Sequence, residues 1–239
     1  MFIYVAPFYS SQGVPAQVKI GLSFFVSLVL YGVITPQEMP EYSTVWGYAV
    51  IVMKEAVAGL LIGYAASICT SIISFAGRII DMETGMAMAN LIDPTTKEMS
   101  SISGVFYQYI VTLILMISGM YQYLMKALAE SYTLIPVNGM VFRMDALLDS
   151  IIGFLSDYIL IGFQICLPVF AVMLLLNAIL GILAKVAPQL NMFAVGIQIK
   201  VLVGICVLYI TTSMIPIIAD FIYTEIKVMV VDVVEAMMF

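Results

Sequence analysis

Five long stretches of the chain carry no charged side chain: residues 20–37, 56–77, 99–125, 158–184 and 201–219. Each reaches or approaches the roughly 18 to 20 apolar residues that a membrane-crossing helix needs. Residues 42–53 are also uncharged, but that run is shorter. The two longest stretches exceed one crossing. As straight helices they would extend about 40 Å, against a hydrocarbon core of about 30 Å. They are therefore expected to tilt, to bend, or to fold as hairpins inside a larger assembly. Pro168 lies inside one stretch and Pro216 near the end of another, and each predicts a kink.

The pattern changes between the last two stretches. Lys185-Val186-Ala187-Pro188-Gln189-Leu190-Asn191 is a polar break that leads through Met192-Phe193-Ala194-Val195-Gly196 to Lys200. Polar backbone with Pro and Gly is costly beside lipid. It is kept where it is buried against protein or lines an aqueous cavity. Lys185 and Lys200 bracket the break, and three uses stand open for them: snorkelling to an interface, partner contact, or capping of carbonyls. After residue 219 the pattern becomes two-sided. On a helical wheel Asp220, Glu225, Lys227, Asp232 and Glu235 share one face. Ile222, Ile226, Met229, Val230, Val233 and Met237 share the other. This predicts an amphipathic helix that lies on a membrane or docks on a partner, and its acidic face favours the partner.

Composition fixes the class. Hydrophobic residues make up 63% of the 239 and charged residues 10%, with a mean hydropathy of +1.12. Soluble domains are nearer half apolar and a quarter charged. So much apolar surface needs lipid or other chains to cover it. The prediction is an all-α, membrane-embedded bundle of bent helices and helical hairpins, in one domain over residues 1–239. A net charge of -6 excludes nucleic acid, whose binding needs a basic face. The charges Lys19, Arg78, Lys97, Lys185 and Lys200 fall on one side of the five stretches. Lys54, Lys126, Arg143 and Lys227 fall on the other, so the positive-inside rule does not orient the chain.

Catalysis finds no support. There is no His, which removes His triads and His metal sites. Cys69, Cys166 and Cys206 are far apart in apolar segments and read as packing thiols. No metal-ligand spacing or phosphate loop appears, and no cofactor is implied. A small-solute or ion transporter built on broken helices is the alternative function. It would need ionisable groups near the middle of its spans, whereas here the charges fall at the span ends. An intramembrane enzyme would need paired acids or a nucleophile with its base, and neither is evident.

Four regions together resemble the FliR family of flagellar type III export-gate subunits, which injectisome systems share as SpaR- and YscT-like proteins. The first is Val5-Ala6-Pro7-Phe8-Tyr9-Ser10-Ser11-Gln12-Gly13-Val14-Pro15-Ala16-Gln17-Val18-Lys19-Ile20-Gly21-Leu22, a bend flanked by apolar runs that equally reads as an interhelix turn. The second is Lys54-Glu55-Ala56-Val57-Ala58-Gly59-Leu60-Leu61-Ile62-Gly63-Tyr64. Gly59 and Gly63 share one helix face and permit close packing, and Lys54 with Glu55 reads as an anchor at the helix start. The third runs from Asp81 through Gly85-Met86-Ala87-Met88-Ala89-Asn90-Leu91-Ile92-Asp93-Pro94 to Met99. The fourth is the polar break itself, with Pro188, Gln189, Asn191, Gly196 and Lys200.

The resemblance implies a core subunit of the flagellar protein export gate in the bacterial inner membrane, within the basal body. It implies assembly with FliP and FliQ, the FlhB switch protein nearby, and unfolded export substrates in a central channel. It further implies that Met86, Met88, Leu91, Ile92, Asp93 and Pro94 form a plug in that channel. Family members often carry aromatic residues at the positions of Met88 and Leu91, so an apolar seal here would lack ring stacking. They often carry Pro where this chain has Gln198, so the helix after the break is expected to start earlier. Family members also carry an apolar stretch ahead of Ala6-Pro7-Phe8. The expectation is a chain short of part of its first helix, or one that begins at an alternative start.

Overall fold

The structure is a computed structural model that describes residues 1–10, 13–34, 44–90, 101–137, 139–140, 143–189 and 191–238, without the side chains of 89, 90, 192 and 193. Among these residues every regular element is helical: α1 (Phe2–Val5), α2 (Ala16–Val33), α3 (Val45–Thr84), α4 (Ala87–Asn90), α5 (Ile102–Ile117), α6 (Met120–Leu134), α7 (Met144–Val186), α8 (Met192–Thr211), a 3-10 turn (Thr212–Met214) and α9 (Ile215–Ala236). Four helical runs are long and apolar enough to cross a membrane: α2, α3, α7 and Ala194–Ala236. The bent pair α5–α6 makes a fifth if it counts as one span.

Local chemistry explains the helix ends. Thr44 accepts the Gly47 N–H at 3.2 Å and starts α3. The short uncharged run 42–53 therefore enters the same helix as residues 56–77. Lys54 and Glu55 lie inside α3 and not at its start. Gly85 takes the left-handed conformation (φ 80°) and stops α3 after Thr84. Within the stretch 99–125, expected to tilt, bend or fold as a hairpin, the described residues form two helices, α5 and α6. Gly119 sits at φ 78°, and the axis turns by 64° between α5 and α6. A left-handed residue inside an apolar run breaks the helix, and Gly meets that conformation without Cβ strain. Pro168 does not interrupt α7, which runs through it. Pro216 stands in the first turn of α9, just after the 3-10 turn, where its missing N–H costs least.

Two compact units divide the chain. The first contains residues 1–70, 115–156 and 221–239, and the second residues 71–114 and 157–220. In the first unit, α1 lies on α3 where Gly59 and Gly63 leave room. A Cβ on Gly63 would stand 3.0 Å from Phe2 O and 3.2 Å from Ala6 N. Phe8 holds a positive φ of 72° in the turn that follows α1. Tyr9 donates there to Tyr121 O at 3.0 Å. Burial, and secondarily Tyr121, pushes the Tyr9 phenol above its usual pKa. The C-terminal helix corrects the expectation of a surface element. Ile222, Ile226, Met229, Val230, Val233 and Met237 are buried within this unit. Its polar face is tied locally: Lys227 lies 4.3 Å from the Tyr223 ring centre and 5.4 Å from that of Tyr123. Arg143 donates from Nη2 to Glu235 O at 2.7 Å and from its backbone to Ala236 O at 3.1 Å. These bonds satisfy the last carbonyls of α9. A cavity of about 10 Å³ beside Glu55, Gly59, Ser131 and Tyr132 has room for about one water.

Candidate functional site

The second unit carries the third and fourth sequence regions, and it is built on one stripe of α3. Gly77, Asp81 and Thr84 are spaced so that they face one way on a helix. Gly77 meets α5 with backbone against backbone, since a Cβ there would overlap the N and Cα of Gly104. Small residues allow this approach between membrane helices. Asp81, only 2% exposed, accepts the Ser103 N–H on both carboxyl oxygens, at 3.2 and 3.4 Å. Thr84 is fully buried and its hydroxyl donates back to Ile80 O at 2.9 Å. Its methyl faces α8, where a Cβ on Gly204 would meet Thr84 Cγ2 at 2.7 Å and Met173 Cε at 3.5 Å.

The start of α5 is closed from two sides. Ser101 Oγ accepts the Gly104 N–H at 2.8 Å, and Asp81 takes the Ser103 N–H. Two donors left over by helix geometry are thereby satisfied. Ser103 Oγ lies 3.9 Å from Met86 Sδ. The helix end at Thr84–Met86 and the helix start at Ser101–Gly104 thus form one clasp. A further hydrogen bond of 2.8 Å joins Tyr107 Oη and Thr211 Oγ1, linking α5 to the end of α8.

Of the residues named for the plug, Met86 is buried in this clasp and Met88 is 46% exposed. Leu91, Ile92, Asp93 and Pro94 lie outside the described residues. At the polar break, α7 ends at Val186 and Pro188 and Gln189 form an exposed turn. Asn191 caps α8, its Oδ1 accepting the Ala194 N–H at 3.4 Å. The helix after the break, α8, begins at Met192, ahead of Gln198. Gly196 is buried, with Leu180 Cδ1 of α7 3.7 Å from where its Cβ would stand. Lys200 is half-buried. The break and the clasp are neighbours, because a Cβ on Gly85 would lie 4.0 Å from Ile197 Cγ2. Gly59 and Gly63 belong to the other unit.

Asp81, Ser101, Ser103, Gly77 and Gly104 were not singled out by sequence reasoning as site residues. The available signals were the spacing of Gly77 from Asp81 and a Ser three residues ahead of a helical Gly. Both are short patterns, and their partners lie across a loop.

A chain whose described residues form only helices, with four or five membrane-length helical runs and tight small-residue helix contacts, is an integral membrane protein. The chain belongs to the bacterial export proteins, family 1, whose family model matches residues 1–226. It is similar to the flagellar biosynthetic protein FliR of Bacillus subtilis (strain 168), 29% identical over 216 residues, which cover 90% of this chain and 83% of that protein. FliR of Escherichia coli (strain K12) is 25% identical over 98% of this chain and 88% of its own length. The surface presentation of antigens protein SpaR of Shigella flexneri is 28% identical over 88% of this chain and 80% of its own length.

Proposed function

We propose that this chain is a core subunit of a flagellar type III protein export gate in the bacterial inner membrane, within the basal body. The observation that carries the reading is the family match over residues 1–226, with relatives named FliR and SpaR aligned along most of the chain. Its role is structural rather than enzymatic: it helps form and close a channel for unfolded flagellar proteins. FliP and FliQ are its assembly partners and FlhB its neighbour, and other components supply the energy.

In this reading residues 86–94 are the closing segment. The segment carries Met86, Met88, Leu91 and Ile92 before Asp93-Pro94. Apolar side chains that narrow a pore block ions by dewetting it. Unbranched Met side chains part for chains of varied sequence and close again behind them. The clasp of α3 on α5 supports the reading, because it holds both ends of the connecting chain within one unit. Deleting residues 88–94 from the assembled gate is expected to raise resting ion conductance with the complex yield unchanged. Met88→Ser with Leu91→Ser is expected to leak less than the deletion, since a polar lining wets without removing the constriction. An intact complex with unchanged leak in the deletion overturns the closing role.

A further inference from the structure

A carboxyl side chain inside a membrane-length helix needs partners that offset the cost of its burial. Glu55 is such a group. It lies within α3, and its Oε2 is shielded from solvent. The Tyr132 phenol on α6 donates to its carboxylate. Beside this pair is the cavity of about 10 Å³. Ser131 is its third polar side chain, and the rest of the lining is apolar. Both hydroxyl protons are already committed. Ser131 Oγ donates to Leu128 O at 2.8 Å, and the phenol proton goes to Glu55. What the three groups can still offer the cavity is lone pairs. A carboxylate has about four acceptor sites and a hydroxyl about two, and one phenol proton fills one of them. A lining made only of acceptors selects an occupant that brings protons or positive charge.

We infer that this cavity is a binding site for one water molecule, which donates one hydrogen bond to the Glu55 carboxylate and the other to Ser131 Oγ. The size fits, because a cavity of this volume holds about one water. The chemistry fits as well, because a buried water uses about three polar partners. A hard metal cation is served less well. It gathers about six oxygen ligands, and the apolar remainder of the lining cannot supply them. The water joins α3 to α6 at a second point, next to the bond that Tyr132 makes. Ser131 reaches Leu128 on its own helix and not Glu55, so energetic coupling between Ser131 and Glu55 runs through the water. All three polar residues belong to the first unit, and the site owes nothing to residues 86–94.

The test is a cryo-electron-microscopy map of the full chain in complex with FliP- and FliQ-like subunits, at a resolution that shows ordered water. One peak is expected about 2.5–3.0 Å from both a Glu55 carboxyl oxygen and Ser131 Oγ. A cavity without a peak overturns the site. A second arm reads the melting midpoint of the same complex for Glu55→Leu, Ser131→Ala and the double variant. Each single variant is expected to lower the midpoint by a few degrees. The double variant is expected to lower it by clearly less than the sum, because both changes remove one bridge. The same shortfall is expected in a Tyr132→Phe background, where the phenol can no longer carry the coupling. Additive losses, or coupling that vanishes with the phenol, overturn the bridge. A midpoint higher in sodium chloride than in choline chloride at equal ionic strength, with the difference lost in Glu55→Leu, assigns the site to a sodium ion and overturns the water. Where a variant fails to assemble, the map of the parent complex decides.

Discussion

Gly77 has the least freedom of any residue in the site. A Cβ there would overlap backbone atoms of Gly104, which cannot move aside as a side-chain tip can. Gly77→Ala should therefore force α3 and α5 apart and cost about 1–3 kcal/mol, the usual range for overpacking. Gly104→Ala acts differently. Its Cβ would meet Ser101 Oγ at 2.8 Å while standing 3.6 Å from Gly77 Cα, so it disturbs the helix cap more than the crossing. Thermal melting of the detergent-solubilised complex should show a lower midpoint for both. Ser101→Ala, which empties the crowded position, should relieve part of the Gly104→Ala loss and little of the Gly77→Ala loss, because a Cβ on Gly77 also stands 3.1 Å from Ser101 Oγ but overlaps mainly the Gly104 backbone. At this scale the sequence is only partly legible. The Met-rich run stands out in composition, and Met86 does enter the clasp. Asp81 does not stand out, because its significance depends on an N–H twenty-two positions away that only the fold brings near.

Helix ends decide the element scale, and there the sequence speaks unevenly. The polar break is legible because Pro188 and Asn191 act locally: Asn191 caps α8 through its own side chain. The bend at Gly119 was less legible. Gly in an apolar run is also common packing, and only its φ of 78° marks it as a break. The fate of α9 was misjudged for a third reason. An amphipathic wheel shows that one face is covered, and says nothing about what covers it. Here the cover comes from the chain's own first unit. Replacing Pro188, Gln189 and Asn191 together by Leu removes the stop and the cap at once. The expected outcome is a continuous α7–α8 helix, with loss of Gly196 packing on Leu180, and failure of assembly or export. Motility and complex purification read both, and normal values for the two would show that the break is dispensable. Gly119→Ala keeps the chain apolar but strains a left-handed position, at about 1 kcal/mol or more. It should lower the melting midpoint modestly without abolishing assembly.

The covered and uncovered surfaces of the whole molecule are unequal. No residue of α2 is buried, and Phe24 and Phe25 are 70% and 63% exposed. Along α7, Leu167, Leu174, Leu175, Ile179 and Ile182 are exposed as well. Lipid can cover such surface, but lipid does not specify a helix position. Without a neighbour, α2 is tied down at its start, where Lys19 Nζ donates to Ser10 O at 3.0 Å. The chain is therefore expected to depend on its partners for a defined state. Expressed alone in detergent, it should be polydisperse and melt broadly. Co-expressed with FliP- and FliQ-like subunits, it should enter a discrete complex and melt cooperatively. Amide hydrogen exchange locates the difference: protection along α2 should rise most on assembly, while the α3 stripe at Gly77, Asp81 and Thr84, already covered within its own unit, should change little. A monodisperse, cooperatively melting monomer that ignores those subunits would contradict the assembly reading. Protection gained mainly on the α3 stripe would instead mean that the clasp itself forms only in the complex.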